Sequence, residues 1–181
     1  MSVSVDGHGL VAVLDNGVLA WGLAACGLAQ FSKLLIELVV HRRWRPEVLV
    51  ETGGMPSSHS ALLTGTAAGL GWQVGFDDPL FALAATMCFV VLYDASGVRR
   101  AAGLTAARVN LLQANLRGDG GSGGEANPPG EPEEKPLKEN LGHTRLEVLV
   151  GSLIGPLVAL PGLVLLGSPL HLVRALFAPV A

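Results

Sequence analysis

Pro79-Leu-Phe-Ala-Leu-Ala-Ala-Thr-Met-Cys-Phe-Val-Val-Leu-Tyr-Asp-Ala-Ser-Gly-Val98 is a run of 20 residues in which Asp94 is the single charged side chain. A hydrocarbon core about 30 Å thick is spanned by roughly 20 residues of α-helix, because inside lipid the backbone must satisfy its own hydrogen bonds. The run therefore reads as a membrane helix, and it places the chain in the all-α class. Three further segments, roughly 18–40, 58–75 and 144–166, have a similar composition. Together they predict a small transmembrane helix bundle with about four membrane helices. Phe76-Asp77-Asp78-Pro79 is a tight polar turn between the second and third segments, so these two form an antiparallel hairpin.

Composition agrees with this reading. The 181 residues are 50% hydrophobic and 15% charged, with a mean hydropathy of +0.48, too apolar for an ordinary soluble domain. Residues 1–181 read as a single membrane domain. A net charge of −3 excludes nucleic acid as the expected partner. Cys26 and Cys88 each sit in an apolar run and read as small hydrophobic fillers; there is no CxxC or Cys/His ligand cluster, so no metal site and no cofactor are expected. No Lys or Arg precedes Lys33, so the basic start of a secretory signal peptide is missing and the first apolar segment is expected to be retained.

Residues 117–136 are rich in Gly, Pro and Glu, a composition that cannot support a packed core and reads as a disordered linker. Before it, a polar helix is expected to begin near residue 101. The basic residues set the orientation. Arg42, Arg43 and Arg45 follow the first helix, and Arg99, Arg100, Arg108, Arg117, Lys135, Lys138 and Arg145 follow the third, so ten of the twelve lie in two loops on one side. Lys33 is inside the first helix, and Arg174 alone lies opposite. By the positive-inside rule both loops face the cytoplasm and both termini face outward, in a bacterial-type inner (plasma) membrane.

Chemistry concentrates on that same face. Gly53-Gly-Met-Pro-Ser-Ser-His-Ser60 joins a flexible loop to a helix start. Gly53 and Gly54 let the backbone approach a ligand, Pro56 sits at or near the first helical position, and Ser57 and Ser58 are candidate caps and, with Gly54, candidate substrate-binding residues. The N–H groups and dipole of such a terminus favour phosphate-like anions, and His59 can move a proton there; a capped helix with a solvent-facing histidine is the plainer reading. In Leu141-Gly-His-Thr-Arg-Leu-Glu147 two readings also compete. His143 and Glu147, four apart, can share a helix face, the carboxylate fixing the imidazole tautomer of a nucleophile, while Thr144-Arg-Leu-Glu147 equally matches a capping box. In Tyr93-Asp-Ala-Ser-Gly-Val-Arg-Arg100, Arg99 is either a phosphate clamp or a topology anchor. Asp94 would then position an arginine, a histidine or a metal. Arg100 reads as an anchor. Lys33 and Glu37, four apart in an apolar helix, point into the bundle as intramembrane charges or snorkel at its end.

These three motifs in this order closely resemble the divergent branch of the type 2 phosphatidic acid phosphatases, a branch related to acid phosphatases and vanadium-dependent haloperoxidases. The resemblance runs from about residue 30 to 159, interrupted by the linker. It implies His143 as nucleophile, Glu147 as its orienting partner, His59 as general acid and Lys33 as a phosphate ligand. Pro-Ser-Ser-His stands where the wider superfamily has Pro-Ser-Gly-His, Glu147 stands in place of Asp, and no Ser-Arg precedes His143 at the usual distance. The function expected is hydrolysis of a phosphate monoester, with a lipid phosphate among the candidates, through a phosphohistidine; vanadate would act as a phosphate mimic. The alternative is a non-catalytic membrane protein that binds or transports an anion or lipid phosphate and keeps the site for recognition.

Overall fold

The computed structural model describes residues 9–49, 53–118, 135–169, 172 and 173. Residues 119–134 of the expected linker, and Arg174, lie outside the described residues. The order is α1 (Gly9–Leu14), α2 (Gly17–Val39), a 3₁₀ turn at Pro46–Leu49, α3 (Ser58–Val74), α4 (Pro79–Ser96), α5 (Val98–Gly118) and α6 (Arg145–Leu166), with no strand among the described residues. Side chains start four of these helices. Asn16 accepts from Leu19 N–H at 3.0 Å, Ser57 from Ser60 N–H at 3.3 Å, Asp78 from Leu80 N–H at 2.7 Å and Thr144 from Glu147 N–H at 3.2 Å. The Asp78-Pro79 turn thus works as its sequence predicts, an acceptor at the cap followed by a proline at the first helical position.

Two boundaries differ from expectation. Pro56 lies two residues before α3, because the cap is Ser57 and Ser58 is the first helical residue. The polar helix starts at Val98 rather than near 101. Gly97 N–H reaches Tyr93 O at 2.8 Å and Ala101 N–H reaches Gly97 O at 2.9 Å, so α4 passes into α5 with a one-residue break.

The core is a three-helix seam of small residues. α3 runs antiparallel to α2 and parallel to α6, and the fully buried side chains at its centre are Ala25, Ala29, Ala61 and Ala159. A Cβ added at Gly155 would stand 2.5 Å from Ala61 O and from Gly65 N, and one at Gly151 would overlap Ser57 O. In lipid, where apolar surface drives association only weakly, such close backbone approach supplies the packing. Outside the seam the rule inverts. α4 buries only Cys88 and Ala95 and turns Leu83, Phe89, Val90 and Tyr93 outward, the pattern of a lipid-facing helix.

Among the described residues three stretches, Gly17–Val39, Pro79–Asn115 and Arg145–Leu166, are long and apolar enough to cross a membrane. α3, at 17 residues, sits among them. Each end of the bundle is stitched. At one end Trp21 Nε1 donates to Gly167 O at 2.8 Å, Ser168 Oγ donates to Asp15, and Phe76 meets Phe81 edge to face. At the other end Ser57 N–H donates to Glu147 O at 3.1 Å and His143 N–H to Ala95 O at 2.9 Å. The starts of α3 and α6 and the end of α4 therefore meet on one face.

Candidate functional site

His143 is buried and held from two sides. It is 4% exposed, its backbone N–H is tied to the last turn of α4, and its Nδ1 lies 3.2 Å from Glu147 Oε2. That same Oε2 accepts from Thr144 N–H at 2.8 Å, completing a capping box with Thr144 Oγ1. The two readings of this motif are thus one structure: the carboxylate that caps α6 also orients the imidazole. Burial pushes the His143 pKa below the ordinary histidine range; the Glu147 hydrogen bond and charge oppose this, and Lys33 and His59 add to it. A neutral ring whose Nδ1–H is taken by a carboxylate presents a lone pair at Nε2.

Gly142 sets where that ring sits. Its φ is +77°, and a Cβ there would stand 2.7 Å from Arg99 C and 2.8 Å from Ala95 O. Only glycine lets the chain press onto the α4–α5 break before entering α6.

His59, Arg99 and His143 line one cleft of about 160 Å³, together with Val91, Ala95 and Gly142. This is smaller than the 300–1,000 Å³ typical of drug-sized ligands and suits a compact group. His59 is exposed at the second position of α3. Arg99 Nε donates to Asp94 Oδ2 at 2.6 Å, so among the partners weighed for Asp94 the structure pairs it with the arginine. With 68% of its side chain exposed, the pair serves orientation more than stability.

The other residues singled out by sequence are placed differently. Lys33 is buried and its Nζ donates to Gly53 O at 3.0 Å, tethering the glycine loop beside His143. Glu37 Oε2 lies 3.4 Å from His41 Nδ1. Gly54, at φ +86°, keeps the loop open. Ser57 is fully buried with its Oγ taken by Ser60 N–H and by Ser60 Oγ at 2.9 Å, and Ser58 is buried as well. The histidines, Glu147, Arg99 and Lys33 are brought together; Ser57 serves as the cap of α3.

Two arginines enter that the sequence reading had assigned to topology, Arg45 in a basic loop and Arg100 as an anchor. A second, polar cleft of about 370 Å³ shares Leu141 and Gly142 with the first and is lined by Arg45, Arg100, Gly53, Gly54, Glu139 and Glu147, among others. Arg45 is carried there by the Pro46–Leu49 turn, which Gln30 Nε2 fastens to α2 through Val48 O at 3.2 Å and Leu49 O at 2.6 Å. Arg45-Pro46 was the available signal, but its distance in sequence from Lys33 hid it.

Residues 14–158 match the profile of the divergent PAP2 family. The chain is 38% identical over 149 residues to the uncharacterized membrane protein YuiD of Bacillus subtilis (strain 168), covering 82% of this chain and 94% of that protein. No solved structure matches.

Proposed function

We propose that this chain, which belongs to the divergent PAP2 family of membrane proteins, hydrolyses a phosphate monoester through a covalent phosphohistidine on His143. The observation that carries the reading is the buried His143–Glu147 pair opening onto a cleft that His59 and Arg99 also line. His143 Nε2 attacks phosphorus while Glu147 holds Nδ1–H. The bond from phosphorus to the alcohol oxygen breaks, and protonated His59 gives its proton to that oxygen. His59 then takes a proton from water as the water oxygen attacks the phosphohistidine, releasing inorganic phosphate and restoring neutral His143. Arg99, with Lys33 behind the glycine loop, supplies positive charge for the phosphoryl oxygens.

The membrane setting favours a lipid phosphate as substrate. The end carrying the site also carries the basic loops, and the positive-inside rule supports a cytoplasmic-facing site in a bacterial-type inner membrane.

The test is phosphate release by detergent-purified protein over a panel of lipid and soluble phosphomonoesters. His143→Asn is expected to abolish it, by at least about 10³-fold, since removing a covalent nucleophile leaves only binding and charge. Equal release by the two proteins would overturn the mechanism. Binding of phosphate or vanadate without turnover on any substrate would favour a recognition or transport role for the same cleft.

A further inference from the structure

The segment from Leu137 to His143 runs back along α5 to the end of α4 without regular secondary structure, folding tightly at Asn140, where Leu141 N–H donates to Glu139 O at 2.9 Å. Asn110 grips its start on both sides: Nδ2 donates to Leu137 O at 2.9 Å and to Glu139 Oε1 at 2.8 Å, and Oδ1 accepts from Leu137 N–H at 3.0 Å. Next along α5, a Cβ at Gly103 would stand 2.6 Å from Glu139 O and 2.9 Å from Leu141 O; then Gly142 presses on Arg99, and His143 N–H closes on Ala95 O at 2.9 Å.

Residues 137 to 143 have no helix or strand ladder to set their register, so their course rests on point contacts with α5 and the end of α4. Asn110 holds the end far from His143 with three hydrogen bonds.

We propose that Asn110 is a positioning residue for His143, its side-chain amide clamping Leu137 in register so that the length of the chain between α5 and residue 135 does not decide where the histidine sits. The inference rests on the phosphatase reading only for its effect on turnover; the placement of His143 is measurable without it.

The experiment compares Asn110→Ala, Asn110→Asp and a full-length chain carrying six added Gly/Ser residues between Gly121 and Ser122, all in detergent. Three readouts are followed: exchange of the Leu137 amide, the His143 ring resonance through a pH titration, and phosphate release. Asn110→Ala is expected to speed Leu137 exchange at least tenfold, to move the His143 titration toward the ordinary histidine range and to lower kcat by about 10²-fold, the scale of a 1 Å misplacement, with a smaller change in KM. Asn110→Asp keeps the acceptor for Leu137 N–H and loses both donors, so it should fall between. The insertion should leave all three readouts unchanged. An unmoved His143 resonance in Asn110→Ala, or an insertion that disturbs it as much as that variant does, overturns the proposal. If the unaltered chain releases no phosphate while the resonance still responds to Asn110, the clamp stands and the phosphatase reading fails.

Discussion

The start of α3 and the start of α6 are built alike and furnished differently. Each is a capped terminus at the same end of the bundle, with a histidine within two residues of its cap, and Ser57 N–H to Glu147 O joins the two. In α6 the histidine precedes the cap, is buried and has its ring held by the capping carboxylate. In α3 the histidine follows the cap, is exposed on the helix and lines the cleft opposite. Position relative to the cap therefore decides which ring is buried and which is exposed. A side chain just before a helix is trapped between elements, and one inside the first turn projects from it. The first suits a nucleophile with a preset tautomer, the second a proton carrier in contact with water.

Breaking the seam that sets these starts side by side should have the largest effect. In Gly151→Leu the new side chain must displace Ser57 O, so the two termini are forced apart; the protein is expected to lose its sharp thermal transition and its monodisperse elution from size exclusion. Leu83→Ala on the outer face of α4 is the control and should leave both unchanged.

Removing the exposed histidine tests the division itself. His59→Ala should cut phosphate release by about 10²- to 10⁴-fold, the usual contribution of a general acid, while the melting temperature stays put because no packing is lost. A substrate with a very good leaving group should restore the phosphorylation of His143, read as a pre-steady-state burst of released alcohol, but not the water step that His59 also serves. Without such rescue, His59 is not the acid.

The subtler break separates the two duties of Glu147. Glu147→Gln keeps a capping-box side chain at the third helical position but removes the charge that raises the His143 pKa. Stability should change by less than about 1 kcal/mol, whereas kcat should drop at least tenfold. The pH dependence carries a definite sign. Because the folded-state pKa of His143 is lowered, the ring stays neutral as pH falls through the ordinary histidine value, so the acid limb of the rate profile should lie below that value. Stability linked to this group is complete above the unfolded-state pKa and declines as pH falls from there toward the folded one. In Glu147→Gln the limb should move lower still, since the opposing contribution is gone.

Much of this was legible in the chain. The helix ends follow Asp78-Pro79 and the Thr144 and Ser57 caps, and the alternation of basic loops placed His59, Asp94, Arg99 and His143 on one face before any coordinates. The small-residue seam left a signal that was not read, the four-residue spacing of Gly151, Gly155 and Ala159 against Ala61 and Gly65. Arg45, Arg100, Gly142 and Asn110 left little. Their roles arise from segments remote in sequence, Asn110 from Leu137 across 27 residues, and no local periodicity encodes such a pairing.

The sequence by itself determined the long apolar helices, the Asp78-Pro79 turn, the Ser57 and Thr144 caps and the face on which the motifs gather, because those follow from short-range chemistry: apolar runs long enough for lipid, acceptors before helix starts, and basic residues collected in two loops. Only the tertiary structure decided that Glu147 both caps α6 and holds His143, that Asp94 takes Arg99, and that Ser57 is committed to its helix. These are choices among partners that the sequence permits equally, and packing alone selects between them by distance and burial.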